Sequence, residues 1–389
     1  MITNPTKTTV HTDQHRARPA GPSRHPVPSS RSMDRGGAAV RWRGLVVAAA
    51  VLVVTNALVA VPAAQAQLRD RVSVTELATF VDEPCTDDIC SSGSAVGPDG
   101  ALYVTDATNG RIQRVDPANG AVTTFADGLP VAIAGVVGGG VADVAFRGRA
   151  AYVLVTGVST FWTDLIQSPN VPATEGVYRL DRVGAGTTRA TLVADLYTWS
   201  EQHPPSSPSF FIPGGFTYAL ETYQDGFLVT DGHHNRVLKV RPKGNVRAFV
   251  DFGRNIVPTG LETDGRSVLV GQAGPIPHTP DSGRVVAVRP AHGTVRTVAT
   301  GAPLLVDIEL TGRGALYGLA QGFWPYAGQE GKEGFPAAPH TGLLMRADRQ
   351  GQFQTVAFHL DRPTTFELIG HTAYVVTITG KVLKVSGLR

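Results

Sequence analysis

The sequence is short of charge. Asp, Glu, Lys and Arg make up 17% of its 389 residues and leave a formal net charge of +3. Residues 1–66 carry eight Lys or Arg and two Asp or Glu, so residues 67–389 carry a net charge of about −3. A mildly acidic body lacks the basic surface on which nucleic-acid binding depends. We therefore expect no nucleic-acid partner.

Cysteine is nearly absent, because Cys85 and Cys90 are the only two in the chain. Two thiols cannot by themselves supply the four ligands of a structural zinc ion, which disfavours metal binding by this pair. An even pair in an exported chain predicts a disulfide. Closing so short a loop removes little chain entropy, so the bond would stiffen one loop rather than hold the fold.

Sequence motifs of common reactions are missing. There is no G-x-S-x-G elbow, no Walker A loop and no H-E-x-x-H. The glycine-rich stretch 135–140 lacks the Lys and Ser or Thr that would bind phosphate. A Ser–His–Asp triad assembled from separate loops stays open, because triads are defined by geometry rather than by sequence spacing.

Long apolar runs are missing except near the N-terminus. Arg41 and Arg43 precede the apolar run 45–61, and an A-x-A site ends at Ala66. This order predicts a secretory signal peptide over residues 33–66, cleaved at that site. An uncleaved anchor is the alternative, although the run falls short of the roughly 20 residues that span a bilayer. Both interpretations place the rest of the chain outside the cytoplasm, with no other membrane segment.

Residues 1–32 precede this segment and are rich in Pro, Ser, Arg and His. Almost no large apolar residue occurs among them, which is typical of disorder. Translation from Met33 would give the signal peptide a basic segment of ordinary length. We therefore predict that the protein begins at Met33 and that residues 1–32 are not translated.

Residues 67–389 seldom show helical periodicity, and the chain's 44 Gly and 27 Pro predict many short strands joined by turns. Gly226–Asp251 shows the pattern best: GFLVTD, a polar HHN loop, RVLKV, a PKGN turn and VRAFVD. Six such units can be aligned, and the last lacks an outer strand that Val72–Phe80 matches. This predicts one all-β domain, a six-bladed β-propeller closed by an N-terminal strand, since closure removes exposed sheet edges.

The repeats resemble NHL-type blades in GPDGALYVTDATNGRI and TDGHHNRV. Over residues 67–389 the chain more specifically resembles the secreted ScyD/ScyE propeller family. The matching stretches are GPDGALYVTDA at 97–107, VADL at 193–196, VPTGL at 257–261, and LVDIEL and GALYGLA within 305–320. The resemblance implies an extracytoplasmic propeller whose molecular function is largely undefined.

Carboxylates recur at one position of the first strand of each unit, and first strands line the channel of a propeller. Ala95 and Ala145 occupy this position in the first two units, and a glutamate occupies it in the other four. In two units an aspartate lies two residues earlier, on the same side of its strand. The set is Glu221, Glu262, Glu309, Glu367, Asp143 and Asp307. Crowded carboxylates raise one another's pKa unless a cation compensates, and Ca2+ would suit as an oxygen-bound ion. Pairing with arginines of neighbouring blades, or solvation in a wet channel, is the alternative. The ScyD/ScyE resemblance implies a small or apolar residue here, so the glutamates depart from it.

Tight turns and long loops separate onto opposite faces of the predicted ring. Long loops are often functional, and these are rich in aromatic residues. The candidate binding residues on this face are His233, His234, Trp162, Trp199, Trp324 and Tyr326. Aromatic residues that merely pack the loops onto the blades are the alternative. The histidines show no tight metal-ligand spacing, which disfavours a zinc site.

These patterns predict a secreted, monomeric module that binds an extracellular ligand or protein on its loop-rich face. The alternative is a metal-dependent hydrolase or lyase, of Ca2+ type, with its site at the mouth of the channel. The sequence leaves open whether the protein is an enzyme, because fold does not decide function.

Overall fold

The computed structural model describes residues 72–81, 91–184, 187–205, 212–289, 293–329, 331–332 and 334–388. Residues 1–32, the predicted signal peptide over 33–66, and both cysteines, Cys85 and Cys90, lie outside these ranges. Within the described ranges, no helix is long and apolar enough to cross a membrane.

The described residues form four-stranded antiparallel sheets, six in number. The first strand in the chain is β1, Ser73–Thr79. Sheet one holds β2 Ser94–Val96, β3 Leu102–Asp106, β4 Arg111–Val115 and β5 Val122–Ala126. Sheet two holds β6 Gly140–Arg147, β7 Ala150–Thr156, β8 Gly176–Gly184 and β9 Thr187–Asp195. Sheet three holds β10 Thr217–Tyr223, β11 Gly226–Asp231, β12 Arg236–Val240 and β13 Val246–Asp251.

The remaining three sheets follow in chain order. Sheet four holds β14 Pro258–Thr263, β15 Val268–Gln272, β16 Gly283–Arg289 and β17 Thr294–Ala302. Sheet five holds β18 Leu305–Leu310, β19 Leu316–Ala320, β20 Gly342–Ala347 and β21 Phe353–Leu360. Sheet six holds β22 Pro363–Ile369, β23 Thr372–Thr377 and β24 Lys381–Ser386, with β1 outermost.

The sheets are arranged as the blades of a ring. The first strand of each sheet contacts the first strand of the next, and β22 of the last sheet contacts β2 of the first. These six strands therefore surround a central channel, which confirms the predicted six-bladed propeller. The second strands β3, β11, β15 and β19 are buried at every position, because both of their faces pack against neighbouring blades.

The sixth sheet takes its outer strand from the start of the described chain. Pairing of β1 with β24 runs from Ser73 opposite Ser386 to Thr79 opposite Lys381. Next to this pair, Phe80 and Val81 pack into the core cluster that also contains Leu102. The hydrophobic contact therefore joins the N-terminal strand to blade one as well as to blade six.

The tight turns fit the neighbouring blade closely. In the PKGN turn, Gly244 has a φ of 85°, which favours glycine. A Cβ on Gly244 would run into the carbonyl oxygen of Val193, which lies on the outer strand of the preceding blade. The glycine is needed both for its backbone angle and for this close approach.

Two short helices lie in the long loops on the opposite face, α1 Thr160–Leu165 and α2 Leu196–Gln202. Asp195 caps α2 by accepting a hydrogen bond from the Thr198 N–H at 2.9 Å. Trp162 of α1 packs edge-on against Phe216, with ring centroids 5.7 Å apart. These long loops are folded onto the blades.

Candidate functional site

The aligned first-strand positions share one cavity of about 280 Å3 in the channel, here called the channel cavity. All six carboxylates that the register alignment brought together line it: Glu221, Glu262, Glu309, Glu367, Asp143 and Asp307. Ala95 and Ala145 line it as well. Among the described residues around it there is no Lys, Arg or His. The carboxylates are therefore not neutralised by arginines within the channel cavity.

The two aspartates bind the free edges of neighbouring blades. Each innermost strand has one edge whose N–H groups find no partner strand. Asp143 Oδ2 accepts a hydrogen bond from the Leu220 N–H at 2.7 Å, across the boundary between blades two and three. Asp307 Oδ2 accepts from the Phe366 N–H at 3.0 Å, across the boundary between blades five and six. Both aspartates therefore hold adjacent blades together.

Two of the glutamates make similar bridges. Glu262 Oε2 accepts from the Leu310 N–H at 3.2 Å, between blades four and five. Glu367 Oε1 accepts from the Ser94 hydroxyl at 3.0 Å, between blades six and one. The carboxyl oxygens thus accept strand N–H groups at three of the six blade boundaries and a hydroxyl at a fourth.

The channel cavity favours protonated carboxyl groups. Burial, followed by repulsion from neighbouring carboxylates, raises the pKa of Glu221 and of Glu367 to about 8. Burial raises the pKa of Asp307 to about 7. Burial and then repulsion from Glu367 raise the pKa of Glu309 well above its usual value. Protons therefore neutralise much of the set near neutral pH.

Burial raises the pKa of Glu262, although hydrogen bonds from the Thr263 and Leu310 N–H groups and from Glu309 act against it. Carboxyls that share protons and accept chain N–H groups have fewer lone pairs left for a metal. Across the described ranges, no three or more His, Cys, Asp or Glu side chains are arranged to hold a metal ion. Ca2+ binding by this set stays a prediction.

A second cavity, of about 130 Å3, lies at the loop-rich end of the channel and is here called the mouth cavity. Asp143 and Asp307 line both cavities and mark the boundary between them. One part of its lining is apolar: Val257, Ala273, Ile276, Leu304, Val306, Phe335 and Pro336. The larger polar side chains in its lining, besides the aspartates, are Tyr218, His233, His278 and Gln321.

The larger polar groups of the mouth cavity, other than the two aspartates, are uncharged. Burial lowers the pKa of His233 and of His278 to about 4, so both imidazoles are neutral at neutral pH. Burial also raises the pKa of the Tyr218 phenol. The His278 ring packs edge-on against Trp324, with centroids 5.6 Å apart. No Lys or Arg belongs to the described lining.

His234, the neighbour of His233, lies in a different environment. Its Nε2 donates to the Ile212 carbonyl oxygen at 2.8 Å, and its Nδ1 lies 3.1 Å from Asp231 Oδ2. Asp231 also accepts from Arg236 Nε at 3.0 Å, and these side chains are almost fully buried. This network holds the loop in place, so only His233 of the predicted pair reaches the cavity.

The aromatic residues predicted on this face pack the loops rather than line the mouth cavity. Trp199 stacks on His203 at 4.3 Å and lies under the Arg236 guanidinium at 5.0 Å. Trp324 is buried and donates its indole N–H to the Phe335 carbonyl oxygen at 3.1 Å. Tyr326 packs against Trp324 with centroids 5.6 Å apart. Together with Trp162 they form the cores of the loops.

Sequence reasoning missed two side chains of the mouth cavity, Tyr218 and Gln321. Gln321 belongs to a repeated position at or just after the end of the second strand, where every blade has a buried polar residue. These residues are Asp106, Thr156, Asp231, Gln272, Gln321 and Thr377. Alignment of this position across the units could have drawn attention to Gln321.

Comparison with known proteins gives the fold alone. No family model matches the sequence, and no curated protein matches it. The chain is similar to a gluconolactonase from Xanthomonas campestris at 12% identity and a TM-score of 0.50, over 81% of this chain and 89% of that one. A protein of unknown function from Bacteroides thetaiotaomicron matches at 11% identity and 0.51, over 81% and 76%. A luciferin-regenerating enzyme matches at 10% identity and 0.50, over 82% and 96%. At such identities the activities of these proteins do not transfer.

Proposed function

We propose that this propeller binds a small molecule reversibly in its mouth cavity. The observation that carries the proposal is the cavity itself, whose volume of about 130 Å3 is close to the roughly 150 Å3 of an apolar cavity that binds benzene. Its lining combines an apolar wall with a few polar groups, as binding pockets usually do.

Binding fits the chemistry of the lining better than catalysis does. A general base works best when its pKa lies near the working pH. Burial lowers the pKa of both histidines to about 4, which leaves them weak bases. The alternative, a metal-dependent hydrolase or lyase, would need the channel carboxylates to bind its metal ion. Most oxygens of these carboxylates already carry a proton or accept a backbone N–H. We therefore favour a binding protein over an enzyme.

We also propose that the protein works outside the cytoplasm as a monomer, and that it belongs among the ScyD/ScyE propellers. The apolar run 45–61 and its A-x-A site support export. The ligand would then be an extracellular compound.

A screen of small fragments against the purified protein tests the proposed function. We expect some fragments to raise the thermal midpoint of the wild type. Val306→Trp, which fills the mouth cavity, should abolish these shifts, because Val306 lines it. The control is Val295→Trp on the exposed outer strand β17, which should keep them. Fragments that stabilise Val306→Trp as well as the wild type, or no stabilising fragment at all, would contradict the proposal.

A further inference from the structure

We infer that the ligand of the mouth cavity is an uncharged molecule that combines hydrogen-bond acceptors with hydrocarbon. Carbonyl, amide and ether oxygens are acceptors of this kind. The inference rests on the proposed function, because it names the ligand class for the same cavity. Its support comes from three features of the lining: the missing cations, the occupied carboxylates and the unused donors.

The lining offers nothing to balance a ligand anion. The described residues around the mouth cavity include no Lys or Arg, and its two histidines are kept neutral by burial, which lowers the pKa of each to about 4. An anion moved from water into such a site would lose its hydration without gaining a charge partner. Carboxylates and phosphates are therefore poor ligands.

The two aspartates offer little to a ligand cation. Asp143 accepts the Val144 N–H through Oδ1 at 2.8 Å and the Leu220 N–H through Oδ2. Asp307 accepts the Ile308 N–H through Oδ1, and the Thr365 hydroxyl and Phe366 N–H through Oδ2. All four carboxyl oxygens of these aspartates therefore already accept hydrogen bonds from the strands of the propeller. Burial also raises the pKa of both groups, so at mildly acid pH neither provides a negative charge.

The polar groups left for a ligand are mainly donors. Gln321 uses its amide oxygen to accept the Ala337 N–H at 2.9 Å, which leaves the amide N–H2 group for the cavity. Burial raises the pKa of the Tyr218 hydroxyl, so it stays protonated, and none of the hydrogen bonds found among the described residues involves it. Two donors thus face the same space from different blades.

His278 supplies a third donor. Its Nδ1 is buried, and the described residues give it no hydrogen-bond partner. Buried N–H groups without an acceptor are rarer in proteins than bare acceptors, so we place the single proton of this neutral ring on Nε2. Nε2 is the nitrogen that remains available to the cavity. A ligand oxygen can therefore accept hydrogen bonds from His278, Tyr218 or Gln321.

The apolar part of the lining accounts for the hydrocarbon of the ligand. Ile276, Leu304 and Phe335 present apolar surface to the cavity. Each square ångström of apolar surface removed from water contributes about 25 cal/mol. A molecule that is polar throughout would leave this wall unused, and a pure hydrocarbon would leave the three donors without partners.

Three probes of nearly equal shape test the inference: benzamide, benzoate and benzylamine. They differ in charge, being neutral, anionic and cationic at about pH 6. We expect benzamide to bind the purified protein at least about tenfold more tightly than either charged probe, measured by ligand-observed NMR titration. Equal or tighter binding of benzoate or benzylamine would overturn the inference.

Removing the hydroxyl of Tyr218 tests whether this group donates a hydrogen bond to the ligand. Tyr218→Phe should weaken benzamide binding by about fivefold or more, because it removes one donor and keeps the ring. Tyr223→Phe is the matched control, since Tyr223 lies at the other end of the same strand, outside the mouth cavity, and it should bind benzamide as the wild type does. Unchanged binding by Tyr218→Phe would contradict the donor argument, and so would a 15N NMR spectrum showing the proton of His278 on Nδ1.

The two proposals can fail separately. If other fragments stabilise the protein through the cavity that Val306→Trp fills, while benzamide does not bind, the ligand class is wrong and the proposed function stands. If no fragment of any charge binds there, both are wrong.

Discussion

Replacing Glu221 by Gln should change how the stability of the propeller depends on pH. Burial and repulsion from Glu262 raise the pKa of Glu221 to about 8, whereas its ordinary value is 4.5. Between these values the unfolded carboxyl is ionised while the folded one holds its proton. Unfolding then releases a proton, so the free energy of unfolding of the wild type falls as pH rises through this window. Glutamine does not titrate and removes this contribution.

The size of the effect follows from the same difference. Each pKa unit corresponds to roughly 1.4 kcal/mol, so the full difference amounts to at most about 5 kcal/mol. Because Glu221 keeps some contact with water in the channel, we expect about 2 to 5 kcal/mol. Glu221→Gln should therefore gain this much stability relative to the wild type between about pH 5 and about pH 8.

Urea unfolding followed by tryptophan fluorescence at several pH values measures this difference. Glu201→Gln is the matched control, because Glu201 is exposed on α2, and its curve should run parallel to that of the wild type. A constant difference between Glu221→Gln and the wild type across the window would refute the reasoning. A wild type whose stability rises with pH over the same range would refute it too.

Three further changes test the frame of the propeller. Gly244→Ala should cost about 1–2 kcal/mol more than Gly265→Ala in urea unfolding, since both glycines have positive φ but only the first packs against a neighbouring blade; equal losses would contradict the close approach. Arg236→Leu should cost about 3–5 kcal/mol because it leaves the buried Asp231 without its guanidinium partner, and a loss below about 1 kcal/mol would contradict that pairing. Deletion of 72–80 should expose the edge of β24 and cause aggregation, measurable by light scattering; a monomeric, cooperatively unfolding product would contradict the role of β1.

The strand pattern predicted both the blades and the convergence of the carboxylates. Side chains alternate with a period of two along a strand, so aligning the repeats fixed which residues face the channel. Glu221 and Glu309 could be placed together in this way, although they are far apart in sequence. Their hydrogen bonds could not, because acceptors such as Glu262 bind the edge of the next blade, and sequence alone does not position one blade against another.

The mouth cavity was harder to predict because it depends on irregular backbone. The pairing of β10 with β11 shifts register between Thr217 and Leu220, so the alternation that places Glu221 does not extend to Tyr218. His233 and His234 are adjacent, yet the turn between β11 and β12 sends them to different places. The loop that contains Trp324 belongs to no repeated pattern. Its aromatic residues could therefore either pack the loop onto the blades or bind a ligand, and the sequence did not distinguish the two.

A structure of the protein with benzamide bound tests the central claim most directly. The account predicts one benzamide in the mouth cavity, with its carbonyl oxygen within hydrogen-bond distance of Tyr218, His278 or Gln321 and its ring against Leu304 and Phe335. Benzamide bound elsewhere, or a mouth cavity that contains only water at saturating benzamide, would contradict it.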